Sequence, residues 1–296
     1  MQLRPLVAVL MAIPVALGLS AAPLSAAPRP ATVSNPCERL TAGEVQFPTH
    51  GADRVTFATA KAYGDIEVLI TGCVHADGGY VQEWQTSGFA GRAGFAPPGK
   101  MWQDTLYSPT GSFTFTEAFG RANPGTALKY HTLNRNSRWG GERGPTYNQY
   151  FEGEGGDADE NLWFYMREGD YEQAAVINWN REPDMPTVQG ASFAIFLHAG
   201  NSPTLGCISS GLSTVTRLLK SAKPGDRIVM GVEPAVFKAG TKTTPAPAAG
   251  GADGAGKTQD PQPAILELQP RTIAAAAGAV ALLTGVFLLV RRRKHP

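Results

Sequence analysis

From Thr272 to Val290 the chain runs for about 19 residues without a charge, and Arg291, Arg292, Arg293 and Lys294 follow at once. In hydrocarbon every backbone polar group must be satisfied within its own segment, so such a stretch has one fold open to it, a helix. At about 1.5 Å per residue that helix nearly crosses a hydrocarbon core of about 30 Å. The cations after it are expected on the cytoplasmic side, as a tail over 291–296, with everything upstream outside the cell. The other end of the chain agrees. Arg4, the apolar run Leu6 to Leu19 and the small residues Ser20, Ala21, Ala22, Ser25, Ala26 and Ala27 have the order of a secretory signal peptide over 1–27. Ala239 to Pro263 reads AGTKTTPAPAAGGADGAGKTQDPQP and has almost nothing large and apolar to bury, so 239–270 is expected to be a flexible linker. The sequence thus predicts a single-pass type I protein, held in the cytoplasmic membrane by its C-terminal helix at 272–290.

What remains, residues 36–238, has no internal repeat and is expected to form one domain. The net charge of +1 hides an asymmetry, because Arg4 and Arg291 to Lys294 sit beside the apolar runs. Without those five cations, 21 basic residues face 25 acidic ones, about −4 for the stretch between. That balance, with charged residues at only 17%, argues against a nucleic-acid binder. Alternating runs recur at Arg54 to Ala60, Asp65 to Thr71, Tyr80 to Gln85, Ser112 to Thr116, Ala175 to Asn178, Ser192 to Leu197 and Arg227 to Gly231. Gly, Pro, Asn and Asp separate them, which predicts a mainly β, mostly antiparallel domain. One helix is expected over Leu212 to Lys220, where Val215, Leu218 and Leu219 share a face, and a weaker one over Asp159 to Glu168.

Three cysteines in an exported chain leave one thiol unpaired if the other two join. Cys37 at the domain edge and Cys73 at a strand end make a plausible disulfide in an oxidising compartment, the alternative being two free thiols. Cys207 is then the odd one. It follows His198 across a turn rich in Gly, Asn, Ser and Pro. A cysteine is nucleophilic as its thiolate, which a nearby histidine base can supply, and small residues let backbone N–H groups face a developing oxyanion. The competing reading is a buried structural histidine beside an inert buried thiol.

These residues resemble the L,D-transpeptidase (YkuD-like) catalytic domain of bacterial cell-wall enzymes. The pattern His-x-Gly followed by Ser/Thr-x-Gly-Cys-Ile/Val is matched by His198-Ala199-Gly200 and by Thr204-Leu205-Gly206-Cys207-Ile208. Gly91 to Phe95, Ser108-Pro109-Thr110-Gly111-Ser112-Phe113, the stretch Ser137 to Tyr150 and Val176 to Asn180 add matches in the same order, so the resemblance covers about Ala52 to Val232. It implies a β-sandwich of two mixed sheets with a flanking helix. It also implies a 3-3 cross-linking reaction between peptidoglycan stem peptides: the thiolate cleaves the bond before the terminal D-Ala of a donor tetrapeptide, and an acceptor amine resolves the acyl-enzyme. On this basis Cys207 is the nucleophile, His198 its base, and the N–H groups of Gly206 and Cys207, with Leu205, form the oxyanion hole. Ser209, Thr204, Asn148 and Tyr150 would contact substrate. The chain has Leu205 where many members carry His, and Ser209 where many carry Arg or Asn. Hydrolysis of the same intermediate would make an L,D-carboxypeptidase, and loss of turnover would leave a peptidoglycan-binding module.

No cofactor, metal or nucleotide is expected. The acids of Phe151 to Asn161 (FEGEGGDADEN) lack the spacing of a calcium loop and are expected to form a solvated loop. His50, His75 and His131 stand alone. Trp84, Trp102, Trp139, Trp163 and Trp179 are expected to lie mostly in the core.

Overall fold

Val55 to Ala60 is buried at every position, the pattern of a strand covered on both faces. A computed structural model describes residues 35–239 and makes this run the first strand. The signal-peptide, membrane-helix and tail readings, with the linker from 240 onward, lie outside the described residues, among which no helix is long and apolar enough to cross a membrane. In chain order the elements are α1 (Pro36–Thr41), β1 (Arg54–Ala60), β2 (Glu67–Ala76), β3 (Gly79–Phe89), β4 (Gly111–Gly120), β5 (Lys129–Thr132), β6 (Ser137–Trp139), β7 (Tyr150–Glu152) and β8 (Glu160–Asn161). There follow α2 (Leu162–Glu168), β9 (Gln173–Ile177), β10 (Phe196–Ala199), β11 (Ile208–Ser210), α3 (Leu212–Ser221), β12 (Arg227–Val232) and α4 (Glu233–Val236).

The domain is mainly β and its large sheet is mixed, but it is not a sandwich of two sheets. Nine strands run in the order β12-β1-β2-β3-β11-β10-β9-β4-β5, and β12 also pairs with β4, which closes eight of them into a barrel with β5 outside. The reason lies in β4. Its first half, Gly111 to Thr114, pairs antiparallel with β12, while Phe115 to Gly120 pairs with β9 and Glu117 to Gly120 with β5. One strand long enough to serve both ends of the sheet removes the free edges that a sandwich would leave. The expected antiparallel character is likewise only partial, since β1 with β12, β10 with β11, and β4 with β5 run parallel. A second sheet, β7-β6-β8, has three short strands.

The hairpin β2–β3 shows how local chemistry sets register. Asp77-Gly78 makes the turn, with Gly78 at φ 89°, and Gly72 leaves room for the Trp84 indole, which a Cβ there would approach to 2.3 Å. Helix α3 buries Val215, Leu218 and Leu219 in the barrel core beside Phe115, Leu197, Ile208 and Ile228, at about 1.5 to 3 kcal/mol for each large aliphatic side chain. It ends where Asp226 accepts from the Lys223 N–H (2.9 Å). At the far side Asn35 caps α1 by accepting from the Cys37 N–H, and Cys37 is disulfide-bonded to Cys73 of β2. Trp139 and Trp179 are core residues, whereas Trp102 is 54% exposed.

Candidate active site

The predicted strand Ser192 to Leu197 begins only at Phe196. Ser192 and Ala194 sit at φ 79° and 55°, which L-residues adopt reluctantly, so the chain before β10 is bent rather than extended. Asn148 holds that bend. Its Oδ1 accepts from the Ala194 N–H (3.1 Å) and from Trp139 Nε1 (3.0 Å), while its Nδ2 donates to the carbonyls of Trp179 and Asn180. Asn148 is therefore fully engaged within the protein and is not placed to bind substrate.

Beyond β10, residues 200–207 alone return the chain to the parallel strand β11, fewer than the roughly dozen residues that such a crossover ordinarily takes. The return is tied down by hydroxyls. Thr204 Oγ1 donates to the Cys207 carbonyl (2.7 Å) and accepts from the Gly206 N–H (3.0 Å), and Ser209 Oγ donates to the Ser202 carbonyl (2.7 Å). Ser108, wholly buried, reaches from the loop before β4 to the carbonyls of Gly206 and Cys207 (2.8 and 3.1 Å) and accepts from the Gly91 N–H. Gly206, at φ 155°, has Tyr107 O and Ile195 Cδ1 at 3.1 and 3.2 Å from where a Cβ would stand. Thr204 and Ser209 thus build the turn, and the Gly206 N–H is already taken. Among the described residues the N–H groups of Leu205 and Cys207 make no hydrogen bond, so of the three expected oxyanion donors these two are unengaged.

Cys207 and His198 line one cleft of about 600 Å³ and are 7% and 6% exposed. His198 Nδ1 faces the carbonyls of Ala199 (2.6 Å) and Asp170 (3.1 Å), so Nδ1 carries the proton and Nε2 holds the lone pair. Burial lowers the imidazole pKa below the usual value, and the two carbonyls partly offset this. The Cys207 thiol donates to the Ala194 carbonyl (3.2 Å), and its sulfur accepts from the Phe196 N–H (3.4 Å). Among the described residues, sulfur and imidazole share no hydrogen bond. Burial among Phe119, Trp139, Tyr171 and Phe196 pushes the thiol pKa far up, and the negative charge of Glu160 adds to this. A resting thiolate poised by His198 is therefore not what the fold holds; the thiol is neutral until something draws its proton away.

Tyr150 lies elsewhere. Its ring stacks on His131 at 3.9 Å and its hydroxyl contacts Ser137 and Glu152, away from the cleft wall. The cleft instead contains residues without a sequence signature. Tyr171 packs edge-on against His198 (5.0 Å) and hydrogen-bonds through its hydroxyl to Glu160. Glu160 ends the acidic loop and starts β8, paired with Trp139, so it turns inward while Asp157 and Asp159 line the mouth. Asp159 accepts from the N–H groups of Gly141, Glu142 and Gly156, which holds its carboxyl below the usual range despite partial burial. Five acids, Asp104, Asp157, Asp159, Glu160 and Asp170, share the lining with one cation, Arg92.

No protein-family model matches the chain, and the search of curated proteins found no match.

Proposed function

We propose that the protein is a cysteine acyltransferase of the L,D-transpeptidase type, which joins peptidoglycan stem peptides through an acyl-enzyme on Cys207. The observation that carries this reading is the opening of the Cys207 thiol and the His198 imidazole into one cleft, with Nδ1 turned onto backbone carbonyls and Nε2 left as a base. Attack by sulfur on the donor carbonyl would place the oxyanion against the N–H groups of Cys207 and Leu205. His198 Nε2 would take the thiol proton as sulfur attacks, pass it to the leaving D-Ala amine, and later accept one from the attacking amine. An excess of carboxylates at the mouth suits a cationic acceptor, which an amine is before it loses its proton. Hydrogen bonds between base and nucleophile often tighten only when substrate is bound, which accommodates their absence here. The anchored topology expected from the termini would hold the domain beside the wall.

A second reading, a peptidoglycan-binding module, is favoured by one observation, the neutral and enclosed thiol. Incubation with disaccharide tetrapeptides, followed by mass spectrometry and with Cys207→Ala as control, separates the readings. Dimers lacking one D-Ala and dependent on Cys207 are expected. Tripeptide alone would mean a carboxypeptidase, and binding without Cys207-dependent product would mean the module.

A further inference from the structure

The acyl-transfer steps above leave Arg92 unused, although it is the one arginine or lysine on a cleft that five acids line. Its side chain is exposed and, among the described residues, enters no ion pair and no side-chain hydrogen bond. A guanidinium left unpaired in acidic surroundings is available to a ligand. Its backbone, by contrast, is fixed. Arg92 stands at the corner of a turn closed by the Gly94 N–H on the Gly91 carbonyl (2.7 Å), with Gly94 at φ 78°. The Arg92 N–H donates to the Thr204 carbonyl (2.9 Å) and the Thr204 N–H to that of Ala90 (3.0 Å), so the turn is tied to the return loop. The Ala93 N–H donates to the Leu106 carbonyl (3.0 Å). The Gly91 N–H donates to Ser108 Oγ (2.9 Å), the hydroxyl that also reaches the Cys207 carbonyl (3.1 Å). One buried hydroxyl thus joins the residue before Arg92 to the nucleophile.

We propose that Arg92 binds the C-terminal carboxylate of the donor stem peptide and so selects donors that end in a free acid. The proposal rests on the acyl-transfer reading given above, in which the bond cleaved is the one before a terminal D-Ala. The scissile nitrogen and the carboxylate of that residue sit on one α-carbon, so a cleft that receives the bond must also receive an anion. Five acids oppose its entry, and Arg92 is the one arginine or lysine on the lining that can offset them. A guanidinium matches a carboxylate with two parallel N–H···O bonds.

The surrounding acids sharpen the choice. A donor carboxylate that Arg92 does not hold is repelled, while the protonated acceptor amine is drawn to the acids, so charge sorts the two substrates within one cleft. The carboxylate stays on the leaving group while the bond breaks, and its contact with Arg92 is made in the ground state and in the transition state alike. Arg92 is therefore a binding residue, and its loss raises KM more than it lowers kcat.

The test compares two donors, a disaccharide tetrapeptide ending in D-Ala and the same molecule ending in D-alaninamide, with a disaccharide tripeptide as the fixed acceptor. Cross-linked product is read by mass spectrometry on the wild type, Arg92→Gln and Arg92→Lys. The wild type should prefer the free acid by at least about tenfold in kcat/KM, and Arg92→Gln should lose that preference through a raised KM for the acid, with the amide unchanged. Arg92→Lys, charged but without the fork, should fall between them. Labelling of Cys207 by iodoacetamide should run alike in the wild type and Arg92→Gln, because the exposed side chain holds nothing in the fold. Equal use of the two donors by the wild type overturns the assignment. An equal loss on both donors in Arg92→Gln overturns it too, since that is the result if Arg92 only tempers the field of the acids or shapes the loop. Failure of the acyl-transfer reading looks different, with no Cys207-dependent product from either donor. Calorimetry on Cys207→Ala then still reads the contact: tighter binding of the acid than of the amide, abolished when Arg92→Gln is added, upholds it, and equal affinity overturns it.

Discussion

Glu160 and His198 face one cleft with pKa shifts of opposite consequence for stability. Glu160 has its folded pKa raised from 4.5 to about 7, so the folded chain holds this proton more tightly than the unfolded chain. Its contribution is complete below about pH 4.5 and is lost as pH rises to about 7. His198 has its folded pKa lowered from 6.5, so its contribution is present above about pH 6.5 and is lost as pH falls through the folded value. Urea unfolding across this range should show the wild type losing stability relative to Glu160→Gln as pH rises from about 4.5 to about 7. A difference that does not change with pH would mean that Glu160 titrates normally. At this scale the sequence was legible only in part. Cys207 and His198 stand out because few residue types can do their chemistry. Glu160 is one acid among five in FEGEGGDADEN, and nothing in that run separates the one that turns inward from those that face water. Asn148 and Tyr150 look available in sequence because free and engaged side chains are written with the same letters.

Among the elements, the return loop 200–207 governs the site, and Ser108 is its distant anchor. Loss of that hydroxyl leaves the Gly91 N–H without its acceptor and frees the carbonyls of Gly206 and Cys207. Ser108→Ala should destabilise the fold by about 1 to 3 kcal/mol and should reduce Cys207-dependent turnover by more than the lost stability explains. Chemical denaturation and product formation, measured on the same sample, check this; unchanged turnover in a folded variant would mean that the loop holds its shape unaided. The strands β1, β2, β3, β4, β9 and β12 were legible, and so was α3, because alternation or an apolar stripe ran long enough to be recognised. Strands β5 to β8 and β11 were not. They are two to four residues long, too short for a period to appear, and partners distant in sequence decide that they are strands at all. The bend before β10 escaped for a related reason, since the positive φ at Ala194 is imposed from outside by Asn148.

For the whole domain the disulfide and the barrel closure act together. Cys37–Cys73 ties α1 to β2 across 36 residues, which by chain entropy is worth about 4 kcal/mol. Replacing both with Ser should lower the melting temperature markedly while leaving Cys207 labelling unchanged at low temperature, because the bond lies in a core cluster separate from that of Cys207. Loss of labelling in a folded double variant would show that the staple shapes the cleft. The sequence by itself determined a mainly β domain between two apolar ends, the helix α3, and a candidate histidine and cysteine on one return of the chain. All of these rest on local periodicity or on rare residue types, which a linear text records. Only the tertiary structure decided that the sheet closes through β4, that Thr204, Ser209 and Asn148 build the scaffold, that the resting thiol is neutral, and that Glu160 and Tyr171 line the same cleft. Each of those depends on burial and on partners far apart in the chain, and such partners are selected by packing.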